Sequence, residues 1–192
     1  RTGKDTAANY ICNQFIGSLF QNTPVEYIGL KVSFASRLKV VCCNMFPLLK
    51  NENYYNKHPH LRTQKIPEYG LTPVEIWVKV GTSMREIYPD IWINLVRERL
   101  KDIQYHRDNI IVVIPDVRAP NEVDFIHEFD EGLCVKIEKP GITDQPGADF
   151  DKMLADYEGW DTTIVNDGTL DEFRTKVAGL AHSFIVKGHL DA

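Results

Sequence analysis

Near its start the chain reads Arg1-Thr2-Gly3-Lys4-Asp5-Thr6, with a glycine and a lysine placed where a helix begins. That combination suits an anion: the glycine lets backbone approach closely, helix N-terminal amides point outward, and the ammonium offsets phosphate charge. It matches the second half of the phosphate-loop pattern G-x-x-x-x-G-K-[ST], with Asp5 where a magnesium-binding hydroxyl normally stands. The first glycine of the pattern, and the strand feeding it, would precede Arg1. A carboxylate also ligates hard cations, directly or through water, so Asp5 is a candidate for Mg²⁺. Thr6 is placed to give its hydroxyl to a phosphate oxygen. The same residues also make an ordinary helix start in which Asp5 favours the macrodipole.

A second group, Asp116 and Arg118, follows Asn109-Ile-Ile-Val-Val-Ile-Pro115, the most apolar short run in the chain. In α/β proteins ligands bind at the carboxyl ends of parallel strands. Asp116 there suits a Mg²⁺ shell or the orientation of a substrate, and Arg118 suits a bidentate grip on a phosphate. The plainer alternatives are that Asp116 caps the helix beginning near Pro120 and that Arg118 makes a surface ion pair. Lys39, toward the inner end of a helix that follows a strand, is a further candidate for phosphate, with a solvated lysine as its alternative. Trp92 could stack on a nucleobase, whereas both Trp92 and Trp77 also fit amphipathic helix cores. Asp90 reads as a helix cap or a contact to base or sugar. Asn121 and Glu122 read either as supports for Arg118 or as a plain first helical turn.

These residues need strands and helices to position them. The spacing predicts helices over Asp5 to Phe20, Ser36 to Leu49, from Thr72-Pro73 onward, Pro89 to about Tyr105, Asn121 to Phe129 and Leu170 to about Val186. Thr72, Pro73 and Glu75 together mark a capped helix start. Strands are expected over Tyr27 to Phe34, Asn109 to Pro115, Leu133 to Glu138 and Thr162 to Val165. Asn51 to Tyr69, polar and aromatic with little periodicity, reads as a long loop. Alternation of this kind predicts an α/β fold with a mainly parallel sheet, Ile110 to Ile114 central and helices on both faces.

With 192 residues the chain fits one domain with a full core. A formal net charge of −5 argues against a nucleic-acid polymer as main partner, because such proteins usually carry a basic face. No apolar run approaches membrane-spanning length. The four cysteines sit mostly in apolar runs, without C-x-x-C or His/Cys metal spacing, and read as reduced buried thiols in a cytosol-like compartment. The six histidines show no ligand spacing, and Asp144 to Glu158 reads as a solvated acidic surface.

Four segments in order carry a resemblance. Gly3-Lys4-Asp5-Thr6-Ala7-Ala8-Asn9-Tyr10-Ile11 resembles the G-K-D-T-x-A-x-x-[IL] opening of the deoxynucleoside monophosphate kinases of large DNA phages and viruses. Ser33-Phe34-Ala35-Ser36-Arg37-Leu38-Lys39 is similar to their F-A-x-P-[LI]-K element. Thr72-Pro73, Gly81-Thr82 and Pro89-Asp90-Ile91-Trp92 are similar to their T-P-R-x…G-T…D-x-W region. Asp116-Val117-Arg118-Ala119-Pro120-Asn121-Glu122 resembles the specific D-V-R-F-P-N-E signature. Weaker echoes lie in Val135 to Gly141 and Asn166 to Leu170.

The resemblance implies a P-loop NTPase-like three-layer α/β/α fold in a single domain, with its first strand outside this sequence. Residues from about 40 to 107 would form a helical acceptor-binding region, and those from about 139 to 160 a lid-like segment. It implies ATP and Mg²⁺. Gly3, Lys4, Asp5 and Thr6 would hold the cofactor, with Asp5 and Asp116 on the metal. Lys39, Arg85, Asp90, Trp92, Arg118 and Asn121 would take the acceptor nucleotide, and Lys4, Asp116 and Arg118 would serve catalysis.

The chain also departs from the family pattern. Arg37 stands for a proline, and Lys139 for an arginine. From Pro140 to Asp161 there is no arginine, and Lys152 is the one cation, although an arginine commonly stabilises a transferring phosphoryl group there. Two functions therefore stand side by side. One is a nucleotide kinase in a host cytoplasm. The other is a non-catalytic structural or interaction protein, virion-associated for example, on a retained kinase fold. Kinase chemistry on another phosphorylated metabolite is a third. A homodimer or a viral protein assembly is compatible with any of them.

Overall fold

The computed structural model describes residues 2–14, 27–106, 109–141 and 153–190. In chain order the elements are α1 (Lys4–Gln14), β1 (Ile28–Lys31), α2 (Phe34–Met45), α3 (Glu52–Lys57), a 3₁₀ turn (Pro59–Thr63), α4 (Pro73–Ile87), α5 (Ile91–His106), β2 (Ile110–Val113), α6 (Pro120–His127), β3 (Val135–Glu138), β4 (Thr162–Val165) and α7 (Leu170–Leu190). They divide into two compact units: Arg1–Lys31 with Arg107–Ala192, and Val32–His106.

The four strands among the described residues lie in the first unit. β1 pairs parallel with β2, Ile28 facing Ile110 through Lys31 facing Val113. β3 pairs parallel with β4, Val135 facing Thr162 through Glu138 facing Val165. Parallel pairing is as expected, but a single sheet with Ile110 to Ile114 at its centre is not seen. Among the described residues the strands form two separate pairs, and β2 is bonded to β1 alone. All four residues of β2 are half-buried. A short apolar run signals a strand with two covered faces, yet it carries no information on how many strands flank it. The architecture shown is therefore mixed α/β with short parallel sheets.

Two helices pack in this unit around a core of Ala7, Ile164, Phe173 and Val177, with Tyr10, Ile11, Val135, Ile137 and Leu180 against it. α1 lies so close to β1 that a Cβ on Gly29 would come within 2.5 Å of the Cys12 Cα. Glycine is the residue that permits that approach. α7 starts on a reciprocal cap: the Glu172 amide donates to Thr169 Oγ1 (3.3 Å), while the Thr169 amide donates to Glu172 Oε2 (2.7 Å). The helix expected over Asp5 to Phe20 is present as far as Gln14, and Phe15 to Phe20 lie outside the described residues.

The second unit is helical. Ser33 caps α2 by accepting from the Ser36 amide at 3.1 Å, which ends β1 at Lys31 and makes buried Phe34 the first helical residue rather than the last of a strand. Thr72 and Glu75 form the expected capping box on α4, with Pro73 just inside the helix. Cys42, Leu49, Tyr55, Ile76 and Trp77 form the core, and the Tyr55 and Trp77 rings meet edge to face at 5.4 Å. The stretch Asn51 to Tyr69 is not irregular. Asn51 accepts from the Tyr54 amide at 2.9 Å and starts α3, Pro59 opens the 3₁₀ turn, and Ile66 bridges Leu71. A six-residue helix made by its caps is too short to show a 3.6-residue period. Among the described residues no helix is long and apolar enough to cross a membrane.

Candidate functional site

In the first unit the chain turns at Gly3 with φ 113°, a conformation L side chains rarely adopt. The turn feeds α1 directly, the Ala7 amide donating to the Gly3 carbonyl at 2.9 Å. A Cβ at Gly3 would lie 2.9 Å from Asn166 Nδ2 and 3.2 Å from the Phe173 ring. Asn166 Nδ2 in turn donates to the Thr2 carbonyl at 2.8 Å. One side-chain amide thus holds the turn in place from the end of β4.

Beside that turn is a cavity of about 260 Å³ lined by Gly3, Thr6, Lys139, Asn166, Gly168, Leu170 and Phe173. Lys139 and Asn166 are the first residues past β3 and β4. Because those strands are parallel and in register, both leave from the same edge, the carboxyl ends where α/β ligands gather. The polar side of the cavity offers an ammonium, a hydroxyl and an amide, and Leu170 and Phe173 supply an apolar side. An anionic ligand with a planar apolar part matches that chemistry. The Thr2 hydroxyl oxygen is buried next to the turn without a hydrogen-bond partner among the described residues.

The other sequence candidates lie in both units. Lys4 is exposed at the first position of α1. Asp5 is 82% exposed and its Oδ1 is held by Lys31 Nζ at 2.9 Å, and the same ammonium reaches Asn9 Oδ1 at 3.2 Å. Asp116 is half-buried in the turn beyond β2, and Arg118 is exposed just before α6. The Arg118 amide donates to Glu122 Oε2 at 2.6 Å and the Ala119 amide to the same oxygen at 3.2 Å. Glu122, 1% exposed, therefore fixes the backbone that carries Arg118. Asn121 is half-buried in the first turn of α6.

Lys39, Arg85, Asp90 and Trp92 belong to the second unit. Trp92 is corrected from a stacking platform to a core residue: it is 2% exposed, and its Nε1 donates to the Gly81 carbonyl at 3.2 Å. A buried indole usually satisfies its N–H in this way. Lys39 is not a solvated lysine. It pairs with Glu52 at 2.6 Å and sits over the Trp77 ring, 5.3 Å from its centroid. Burial pushes the Glu52 carboxyl up, but hydrogen bonds from Lys39 and Ser36 hold it below its ordinary range. Arg85 is half-buried in the last turn of α4, and the Asp90 carbonyl accepts the Asn94 amide at 2.8 Å at the start of α5. Lys152 lies outside the described residues. Lys139 and Asn166 were not among the sequence candidates for the site, although both stand in the two weaker echoes of the family pattern.

No family model matches the chain. Over 186 residues, 92% of this chain and 89% of the other, it is 30% identical to a protein of Acanthamoeba polyphaga mimivirus whose provisional name is deoxynucleotide monophosphate kinase. Identity at that level along nearly the full length of both proteins fixes the relationship: the chain belongs to the deoxynucleoside monophosphate kinase family of large DNA phages and viruses.

Proposed function

We propose that the protein is a nucleotide kinase that moves the γ-phosphoryl group of ATP to a deoxynucleoside monophosphate and releases the two diphosphates. The observation that carries this reading is the Gly3 turn at the head of α1, opening on a cavity with both a cation and an apolar wall. Lys4 and the first amides of α1 hold the phosphates. The base and sugar of ATP take the cavity, between Asn166 and Phe173. Phosphoryl transfer asks little covalent chemistry of the protein, so positioning and charge carry it.

The residues present fit a Mg²⁺-bound nucleotide. The turn at Gly3 has a backbone conformation that L side chains rarely adopt, and the Thr2 hydroxyl lies beside that turn without a partner among the described residues. Mg²⁺ keeps several waters and needs one or two carboxylates besides phosphate oxygens. Asp116 and Asp5 supply these, Asp5 after exchanging its contact with Lys31. Such an ion would supply positive charge to offset what develops on the phosphate oxygens. Arg118, on backbone held by buried Glu122, grips the acceptor phosphate. Asn121, in the first turn of α6, contacts the rest of the acceptor. The protein acts in the host cytoplasm. Of the lid-like segment expected over residues 139 to 160, residues 142 to 152 lie outside the described residues.

Replacing Arg118 by lysine keeps the charge and loses the two-pronged hydrogen bonding. In calorimetry, Arg118→Lys is expected to bind Mg·ATP as the parent does and to bind deoxynucleoside monophosphates at least tenfold more weakly. Equal acceptor affinity in the two proteins would remove Arg118 from the site. The second reading, a non-catalytic protein on this fold, is favoured by the absence of arginine from Pro140 to Asp161 and by the pairing of Lys39 with Glu52. It predicts no turnover of any deoxynucleoside monophosphate.

A further inference from the structure

At the edge of the β3–β4 pair opposite the cavity, three side chains of different chemistry converge. His127 is the last residue of α6, Cys134 immediately precedes β3, and Asp161 immediately precedes β4. The parallel register sets Cys134 beside Asp161. The Asp161 amide donates to the Cys134 carbonyl at 3.0 Å, and the Cys134 amide donates to Asp161 Oδ2 at 2.6 Å. His127 Nε2 lies 2.9 Å from that same Oδ2. One nitrogen, one sulfur and one carboxylate oxygen all fall within 4.8 Å of each other.

We propose that His127, Cys134 and Asp161 form a structural site for a borderline-soft divalent transition metal, Zn²⁺ by class, that clamps the end of α6 to the start of the β3–β4 pair. Tetrahedral Zn²⁺ binds sulfur at about 2.3 Å and nitrogen or oxygen at about 2.0–2.2 Å, so its ligand atoms stand roughly 3.3–3.8 Å apart. Side-chain rotation would bring the cluster to that spacing, the 2.9 Å contact of His127 with Asp161 opening and the longer separations shortening. Cys134 is buried at 4% exposure, whereas His127 and Asp161 are each 35% exposed. The site therefore has an apolar back and an open front, which gives the ion an entry path and leaves water as the fourth ligand.

The donor set selects against Mg²⁺ and Ca²⁺, which take oxygen ligands, and for metals that accept thiolate with imidazole. On binding, the Cys134 S–H bond breaks, the sulfur lone pair forms the metal bond and one proton leaves to solvent. In the metal-free site His127 Nε2 carries the proton that faces Asp161 Oδ2 at 2.9 Å; on binding, the ring takes the tautomer with its proton on Nδ1, which frees the Nε2 lone pair for the metal. The cavity at the carboxyl ends and this cluster at the amino ends share no residue, so metal here affects stability and leaves nucleotide binding alone.

The test is a Co²⁺ titration of the chelator-treated full-length protein, followed by visible and near-ultraviolet absorption, with Zn²⁺ then added as competitor. The expected result is one equivalent bound, tetrahedral ligand-field bands, a thiolate-to-cobalt charge-transfer band, and displacement by Zn²⁺. Cys134→Ser should lose the charge-transfer band. His127→Gln, at an exposed position that does not endanger the core, should keep Mg·ATP binding and weaken Co²⁺ by at least tenfold. Zn²⁺ should raise the Tm of the parent and not that of His127→Gln. Absence of stoichiometric Co²⁺ uptake would overturn the proposal. So would a charge-transfer band that survives in Cys134→Ser, or Co²⁺ affinity unchanged in His127→Gln.

Discussion

Replacing Gly3 by alanine separates the phosphate turn from a mere helix start. At φ 113° an alanine pays a backbone penalty of about 1–2 kcal/mol. Its Cβ would also stand 2.9 Å from Asn166 Nδ2. That amide is the far end of a side chain and can swing away, but only by giving up its 2.8 Å bond to the Thr2 carbonyl, about 1 kcal/mol. The Phe173 ring at 3.2 Å is buried and must yield by a few tenths of an ångström. The sum is about 2–3 kcal/mol, which for a chain of this size lowers Tm by roughly 5–10 °C. The Asn166 amide should also swing into the cavity and weaken Mg·ATP. Thermal denaturation and calorimetry on Gly3→Ala measure both effects. In the Asn166→Ala background the hydrogen bond is already gone, so Gly3→Ala should cost about 1 kcal/mol less there. A Gly3→Ala protein with parental Tm and parental affinity would refute the reasoning, because the turn would then have no need of glycine.

Lys4→Ala should bind Mg·ATP at least tenfold more weakly in calorimetry, with Tm within a degree or two of the parent, since Lys4 is exposed at a helix start where alanine is well tolerated. The metal-free protein should also show an acid-dependent contribution from Asp161. Burial raises this carboxyl, but the Cys134 amide and His127 hold it below its ordinary range. Stability from a depressed carboxylate is fully present above its unfolded value of about 3.9 and is lost as pH falls through the lower folded value. Denaturant titrations of the parent and Asp161→Asn should therefore differ at pH 6 and converge below about pH 4; a constant difference would contradict the assignment.

Much of this was legible in the residues. Thr72-Pro73-Val74-Glu75 announced the capping box that α4 has, and the apolar run ending at Pro115 announced a parallel strand with Asp116 and Arg118 beyond it. Periodicity failed where structure comes from single contacts. α3 exists through the Asn51 cap and the burial of Tyr55, neither of which has a period. Trp77 read as core and Trp92 as core or stacking platform, and burial makes both core residues. Lys139 meets Asn166, and Cys134 meets Asp161, through the register of two strands separated by more than twenty residues. Spacing along the chain cannot show such a meeting. The approach of His127 to Asp161, 34 positions away, is hidden for the same reason.

The central claim is that this fold transfers a phosphoryl group between nucleotides, and a coupled assay for ADP release tests it most directly. The full-length protein, with Mg·ATP and each of the four deoxynucleoside monophosphates in turn, should release ADP only when an acceptor is present, and Lys4→Ala should abolish that release. Failure of the full-length protein to turn over any of the four, with Gly3, Lys4 and Arg118 all intact, would contradict the kinase account and leave a nucleotide-kinase fold serving as a structural or interaction protein.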